Sequence, residues 1–491
     1  MRVSELFDLP QKQDSLDFID VDVDGDTPLF IDPPALQSID SAWANSCVSS
    51  IQSFFQRVLD AVTSGDNVQG MAILKNLSEP NETHLGLSKG RSQGNAVGDK
   101  LAEKFWEELS GSRAAQSGLI TDLEDTALLI ENVREDRISD VTTCLIRTQL
   151  IEYTQAACEY YGIPTRAGSY AGSEWEPLRG QWIDRSHDLP IAAGIPLLLV
   201  PKEIVRRKLH LDPGEYYRHH VLNFLWREEL ARVSSLAITA RGRRRPAISK
   251  GAVEDKYRGM FDSGRTNPGV EKRINTWYSE RNPEALSDFK EQKSANPARP
   301  MTNEEISETS GASIDELQEH LDLVLSTPTG KPAADLYHRR VEALLSALFY
   351  PDMIHPRREV KINDGRKRID ITYTNAARSG FFHWLAMNYP AANIVVECKN
   401  YSKPIGNPEY DQLLGRFSPS RGKVGLLLFR GYVDKANVRA SCRDAANNSQ
   451  GWILALDDAD LKALVEEAVN PPTGSFGHLH RLFNELLGFN S

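Results

Sequence analysis

From Pro34 to Thr63 the apolar positions Ile51, Phe54, Phe55, Val58, Leu59 and Val62 recur at helical spacing. Val97, Leu101, Phe105, Trp106 and Leu109 repeat that period over 97–111. A further long helix is predicted over 136–163, with Ser139 or Asp140 as its N-cap. Ahead of these, residues 1–35 read as short strands. Asp20 to Gly25 has the DxDxDG spacing of a calcium loop, but Ile31 stands where the loop's closing Glu belongs, so a solvated strand and turn is expected. Ile195–Val200 reads as a buried strand, followed by helices to about Ala231. Residues 1–240 are thus expected to form a mostly helical domain with a few strands.

The pattern then becomes more charged. Arg241-Gly-Arg243-Arg244-Arg245-Pro246 marks an exposed basic linker, which serves equally as a solvated loop or a phosphate contact. Two charged amphipathic helices are predicted over 252–293, with Trp277 and Tyr278 on the first and Pro283 opening the second. Thr302-Asn-Glu-Glu305 is a capping-box signature. The stretch from Ile306 to Leu321 resembles a helix-turn-helix, with Gly311 in the turn and Ser313 capping the second helix. A DNA-reading helix presents Arg, Lys, Asn or Gln, whereas this one presents Asp315, Glu316 and Glu319. Residues 241–326 are therefore expected to be a basic linker and a helix-turn-helix-like module that makes packing or protein contacts.

After Ser326–Pro332 the alternation changes again. Val341, Leu344, Leu345 and Leu348 form a helix stripe with Glu342 at its margin. Extended runs at 359–363 and 367–374 flank Asp364-Gly365, a hairpin signal. Asn393–Lys399 is predicted as the central strand, and period-two alternation puts Glu397 and Lys399 on one face, Val396 and Cys398 on the other. A helix carrying Gln412, a strand at 424–429, a helix near 435–447 and a strand at 452–456 follow. Residues 327–491 are expected to be an α/β domain with an α-β-β-β-α-β core and a mixed sheet. Two carboxylates and a lysine at the ends of adjacent strands make a place to hold a divalent metal and a water.

Composition adds bounds. At 491 residues the chain calls for roughly two or three cores. Its net charge of −11 argues against nonspecific coating of DNA, so any nucleic-acid contact must rely on local cations. Such cations surround the predicted site: Arg339, Arg340, Arg357, Arg358, Arg366, Lys367, Arg368, Lys403, Arg416 and Arg421. The glycine-bearing loop from His84 to Gly98, with Lys89, Gly90 and Gly94, opens onto a helix and is a candidate anion site, although it lacks the Walker and dinucleotide spacings. Five cysteines without metal-ligand spacing point to a reducing, cytoplasmic setting. The acid-bearing N-terminus does not resemble a signal peptide, and the longest apolar run, Ile191–Val200, is too short to span a bilayer.

Ile369-Asp370, Glu397-Cys398-Lys399, the preceding helix with Glu342 and the following helix with Gln412 together resemble the PD-(D/E)XK, or restriction-endonuclease-like, nucleases. The Glu-Cys-Lys-Asn-Tyr wording is most similar to the Mrr and RecB branches. The resemblance covers roughly 333–470, with Ile369 in place of the family's proline and a longer link at 376–392. It implies Mg²⁺ as cofactor, with Mn²⁺ able to substitute, held by Asp370, Glu397, the Cys398 carbonyl and Glu342, with Asp364 as the alternative aspartate. It implies that Lys399 orients the attacking water or offsets charge, and that Gln412 braces the site. The implied activity is cleavage of DNA, expected to be double-stranded, by a homodimer or higher oligomer in restriction or anti-phage defence. The alternatives are DNA repair or a non-cleaving nucleic-acid-binding protein. A regulatory protein or ligand is expected at the front domain.

Overall fold

The computed structural model describes residues 1–77, 80–87, 96–131, 133–237, 248–261, 269–362, 367–431, 434–470 and 477–488. The glycine-loop positions Lys89, Gly90 and Gly94, the basic run at 241–245, and Asp364 and Arg366 lie outside the described residues.

Asn393–Lys399 is rich in β-branched and apolar residues and lies in the middle of a five-stranded sheet. The strand order is Trp452–Leu456, Val424–Phe429, Asn393–Lys399, Lys367–Asn375, Met353–Ile362. The first three strands run parallel, joined by helical crossovers at Asn407–Leu414 and Lys435–Asn447. The last three pair antiparallel, so the sheet is mixed, as the alternation predicted. Glu397 lies opposite Leu427 on one side, and Ile371 faces Val396 on the other. The helix Ala334–Phe349 buries Val341, Leu344, Leu345 and Leu348 against this sheet. Glu342, expected at the stripe's margin, is itself buried. The long link at 376–392 contains a helix, Gly380–Asn388, which buries Phe381, Phe382 and Leu385.

Apolar packing forms two clusters. One gathers residues from Val3 to Ile306 and takes in Ile354 from the edge strand; the other runs from Leu321 to Leu486. The helix-turn-helix-like segment divides between them. Asn303–Ser310 turns Ile306 into the first cluster, and Leu317–Leu325 turns Leu321 and Val324 into the second. The Thr302–Glu305 capping box is present, and Gly311 ends that helix at φ 72°. Ser313 does not cap the next helix, which starts after Glu316; its carbonyl instead accepts from the Gln13 N–H at 3.1 Å.

Several other local expectations yield to long-range bonds. The predicted helix at 136–163 is two, Glu135–Leu145 and Arg147–Tyr161, broken at Ile146. Ser139 lies inside the first, where its hydroxyl accepts the Ile31 N–H at 2.9 Å. Leu197–Val200 is buried but joins no ladder: Leu198 N–H reaches the Glu82 carbonyl at 2.7 Å and Leu199 N–H the Thr154 hydroxyl at 2.9 Å. Asp20 is buried instead of solvated, receiving the Ser4 N–H at 2.8 Å and its hydroxyl at 2.6 Å. The helices predicted over 252–293 are three: Lys250–Phe261, Gly269–Ser279 and Pro283–Ala295. Among the described residues no helix is long and apolar enough to cross a membrane.

Polar contacts join distant parts of the chain. Lys202 donates to the Asp14 carbonyl at 3.1 Å and to Asn303 Oδ1 at 2.9 Å, and lies 4.0 Å from the centre of the Tyr350 ring. Asp14 also pairs with His320, and Lys12 with Asp315. Burial pushes the Lys202 pKa down to about 8, with Asp14, Asp17 and Glu203 offsetting part of the effect. Between pH 8 and the ordinary lysine value of 10.5 the unfolded chain holds more protons, so stability gains with pH across that window. Relative to Lys202→Met, the wild-type chain should therefore become more stable from pH 8 to 10.5, by on the order of 3 kcal/mol. Urea unfolding of both proteins across this range checks it, and a difference that stays flat is the contrary result.

Candidate active site

Parallel strands deliver their side chains to the C-terminal edge of the sheet, where open α/β folds place ligands. Glu397, Cys398 and Lys399 end the central strand there, with Glu397 0 % exposed and Lys399 6 %. Asp370, on the antiparallel neighbour, accepts the Cys398 N–H on Oδ2 at 2.9 Å, which locks the two strand ends together. The helix Asn407–Leu414 begins with Pro408 in its first turn, and Glu409 accepts the Gly406 N–H at 2.9 Å. This start aims Gln412 back over the strand. Lys399 Nζ lies 2.6 Å from Glu397 Oε1 and 3.1 Å from Gln412 Oε1, and the Gln412 amide donates to the same Glu397 oxygen.

One half of the Glu397 carboxylate is thus saturated. The other oxygen, Oε2, is buried and has no hydrogen bond among the described residues. Burial, and then the charge of Asp370, push the Glu397 carboxyl above its usual range, while Lys399 pulls it back. Lys399 in turn holds its proton more tightly than usual, because the Glu397 charge and hydrogen bond outweigh its desolvation. A buried carboxylate oxygen without a donor, beside a second carboxylate, is the donor set a hard divalent cation takes. The residues present therefore fit Mg²⁺.

Glu342 is bonded elsewhere. Tyr160 donates its hydroxyl to Glu342 Oε1, and Arg358 Nε lies 3.0 Å from Oε2. Arg358 also donates to the Tyr160 carbonyl at 3.1 Å and stacks 4.7 Å from the centre of its ring. Burial pushes Glu342 up to about 7, with Arg358 pulling it back. No sequence pattern announces this clamp, because Tyr160 and Glu342 lie 182 positions apart.

Several of the cations read as basic surface make local contacts. Arg358 holds Glu342, Arg339 pairs with Asp335, Arg368 meets Glu359 at 3.0 Å, and Arg340 donates to the Leu323 carbonyl at 2.8 Å. Lys367 donates to the Gly415 carbonyl at 3.0 Å, and Lys403 lies 5.5 Å from the Tyr401 ring centre. Arg416 differs from these. It is 9 % exposed, its Nε has no hydrogen bond among the described residues, and its charge favours the ionised form of Glu397.

A family profile described as "Domain of unknown function (DUF8370)" matches residues 8–212. No curated protein matches the chain. Among solved structures it is similar to "Structure of restriction endonuclease FokI bound to DNA", at 12% identity and a TM-score of 0.23, over 90% of this chain and 73% of that one. Likeness at that score carries no argument about fold or activity.

Removing one partner of a buried ion pair strands the other charge, which costs about 3–5 kcal/mol, whereas replacing both with neutral groups costs far less. Lys399→Met should accordingly destabilise the chain by about that amount, and the double variant Lys399→Met/Glu397→Gln should recover most of it. Urea denaturation of the three proteins measures the coupling; equal loss in the single and double variants would count against a buried charge pair.

Proposed function

We propose that the chain is a Mg²⁺-dependent endonuclease that hydrolyses phosphodiester bonds in double-stranded DNA. The observation that carries this reading is the orphaned Glu397 Oε2 within the Asp370–Glu397–Lys399–Gln412 cluster. Asp370 and Glu397, with the Cys398 carbonyl, would hold the ion. When bound, Mg²⁺ supplies Lewis acidity, lowering the pKa of a water and offsetting phosphate charge. Lys399 keeps its proton and is placed to orient the attacking water or to meet charge that builds on the phosphate. Gln412 fixes the Lys399 ammonium and the Glu397 carboxylate in one geometry. Arg416, buried and without an ion pair among the described residues, is available for the scissile phosphate. Mn²⁺ is expected to substitute for Mg²⁺.

Double-strand scission calls for two such sites, so a homodimer or higher assembly is part of the proposal. The role proposed is restriction or anti-phage defence, with the front of the chain as restraint. The Tyr160–Glu342 bond supports this, since a residue of the front body occupies a carboxylate that the resemblance assigns to the metal.

Purified wild-type protein should nick supercoiled plasmid in Mg²⁺, and Asp370→Ala or Lys399→Ala should lower the rate by at least about a hundredfold. Equal inertness of all three proteins on single- and double-stranded DNA and RNA would remove the nuclease reading. Tyr160→Phe, which frees the Glu342 oxygen, should raise the nicking rate above wild type; an unchanged or lower rate would separate Tyr160 from restraint.

A further inference from the structure

Away from the sheet edge, two adjoining cavities of about 440 and about 300 Å³ share the walls Gln37, Asp122 and Glu124. Together they have the size of a small-molecule site, typically ~300–1,000 Å³. The larger lies wholly within the front body, between the helix Ala42–Ser64 and the start of Leu123–Leu129. The smaller is closed on one side by Arg378, which belongs to the link between the Asp370 strand and the central strand.

The cations of the smaller cavity are not alike in their partners. Lys290 is neutralised by Asp122 at 2.7 Å and Asp125 at 3.0 Å, and Lys293 meets Glu215 at 2.7 Å. Arg378 meets no carboxylate among the described residues. Its Nη1 donates to the Ala298 carbonyl at 2.6 Å and its Nη2 to the Ser38 hydroxyl. It is half-buried, and burial followed by the like charge of Arg206 works against its own charge. A half-buried guanidinium on a cavity wall without a carboxylate partner has affinity for an anion, and its fork favours a phosphate or carboxylate.

The larger cavity is different in kind. Its wall combines the apolar Val48, Ile51 and Phe55 with the amide of Gln52. Glu124, 6 % exposed, faces both cavities and accepts from the Gln37 amide at 3.3 Å. Burial pushes this carboxyl up to about 8, so near neutral pH it carries its proton and can donate as well as accept. A neutral acid beside an amide, over apolar side chains, suits the hydrogen-bonding edge of an uncharged heterocycle.

We propose that these joined cavities bind a small phosphorylated ligand of the nucleotide class. Its phosphate lies against Arg378 and Lys293, and its uncharged head lies beside Gln37 and Glu124. Because Arg378 comes from the sheet-bearing part and the remaining walls from the front body and the Pro283–Ala295 helix, the occupant bridges the two packing clusters.

Calorimetric titration of the full chain with AMP, GMP, CMP and UMP, their nucleosides and inorganic phosphate tests this. At least one nucleotide should bind and raise the Tm, with about tenfold or greater loss of affinity in Arg378→Gln and in Lys293→Gln. Its nucleoside, and phosphate alone, should each bind at least about tenfold more weakly than the nucleotide. Lys293→Gln keeps the test decisive should Arg378→Gln fail to fold. Failure of all four nucleotides to bind at millimolar concentration overturns the proposal. So does equal affinity in the variant that folds, or equal affinity for nucleoside or for bare phosphate.

Discussion

A fully buried carboxylate at the end of an apolar strand is the constraint on which the C-terminal architecture depends. Glu397 has no access to water, and an ionised carboxyl in that position is costly unless donors surround it. Lys399 and Gln412 satisfy one oxygen, and each requires its own supporting element: a strand held in parallel register for the lysine, a helix with a defined start for the glutamine. Asp370 adds to the electrostatic cost, yet its other contact, to the Cys398 N–H, ties the neighbouring strand to the same spot. The surrounding Val, Leu and Phe side chains supply the apolar free energy that tolerates this concentration of charge.

The rest of the chain meets this sheet through polar contacts as well as packing. Lys202, the Asp14–His320 pair and the Tyr160–Glu342–Arg358 group are buried or nearly so, and each joins residues far apart in sequence. Buried polar contacts of this kind need good geometry, since a misplaced partner leaves a charge without compensation. The two clusters are therefore registered against one another more narrowly than apolar packing alone would require. Glu342 makes the consequence visible: it lies on the helix beneath the sheet, but its carboxylate is bonded to the front body.

Local physics was legible wherever a short-range rule governed a residue. Period-two alternation separated the Glu397–Lys399 face from Val396 and Cys398, the helix stripe from Val341 to Leu348 pointed to its buried side, and Thr302 with Glu305 announced a cap. Propensity also found the strands at 424–429 and 452–456, because parallel strands covered on both faces read as continuous apolar runs.

Tertiary contacts decided what local rules could not. Ser139, inside a helix that begins at Glu135, bonds the Ile31 N–H instead of capping, and the Leu197–Val200 backbone bonds Glu82 and Thr154 outside any ladder. The helix-turn-helix-like segment was divided between two apolar clusters, and Arg358, one cation among many in the sequence, became the partner of Glu342. The sequence by itself determined periodicity and the capping box at Thr302–Glu305, both of which depend on neighbours within a few positions. Only the tertiary structure decided which buried polar groups found partners and which, such as Glu397 Oε2, did not, because hydrogen-bond satisfaction depends on distances that sequence spacing does not encode.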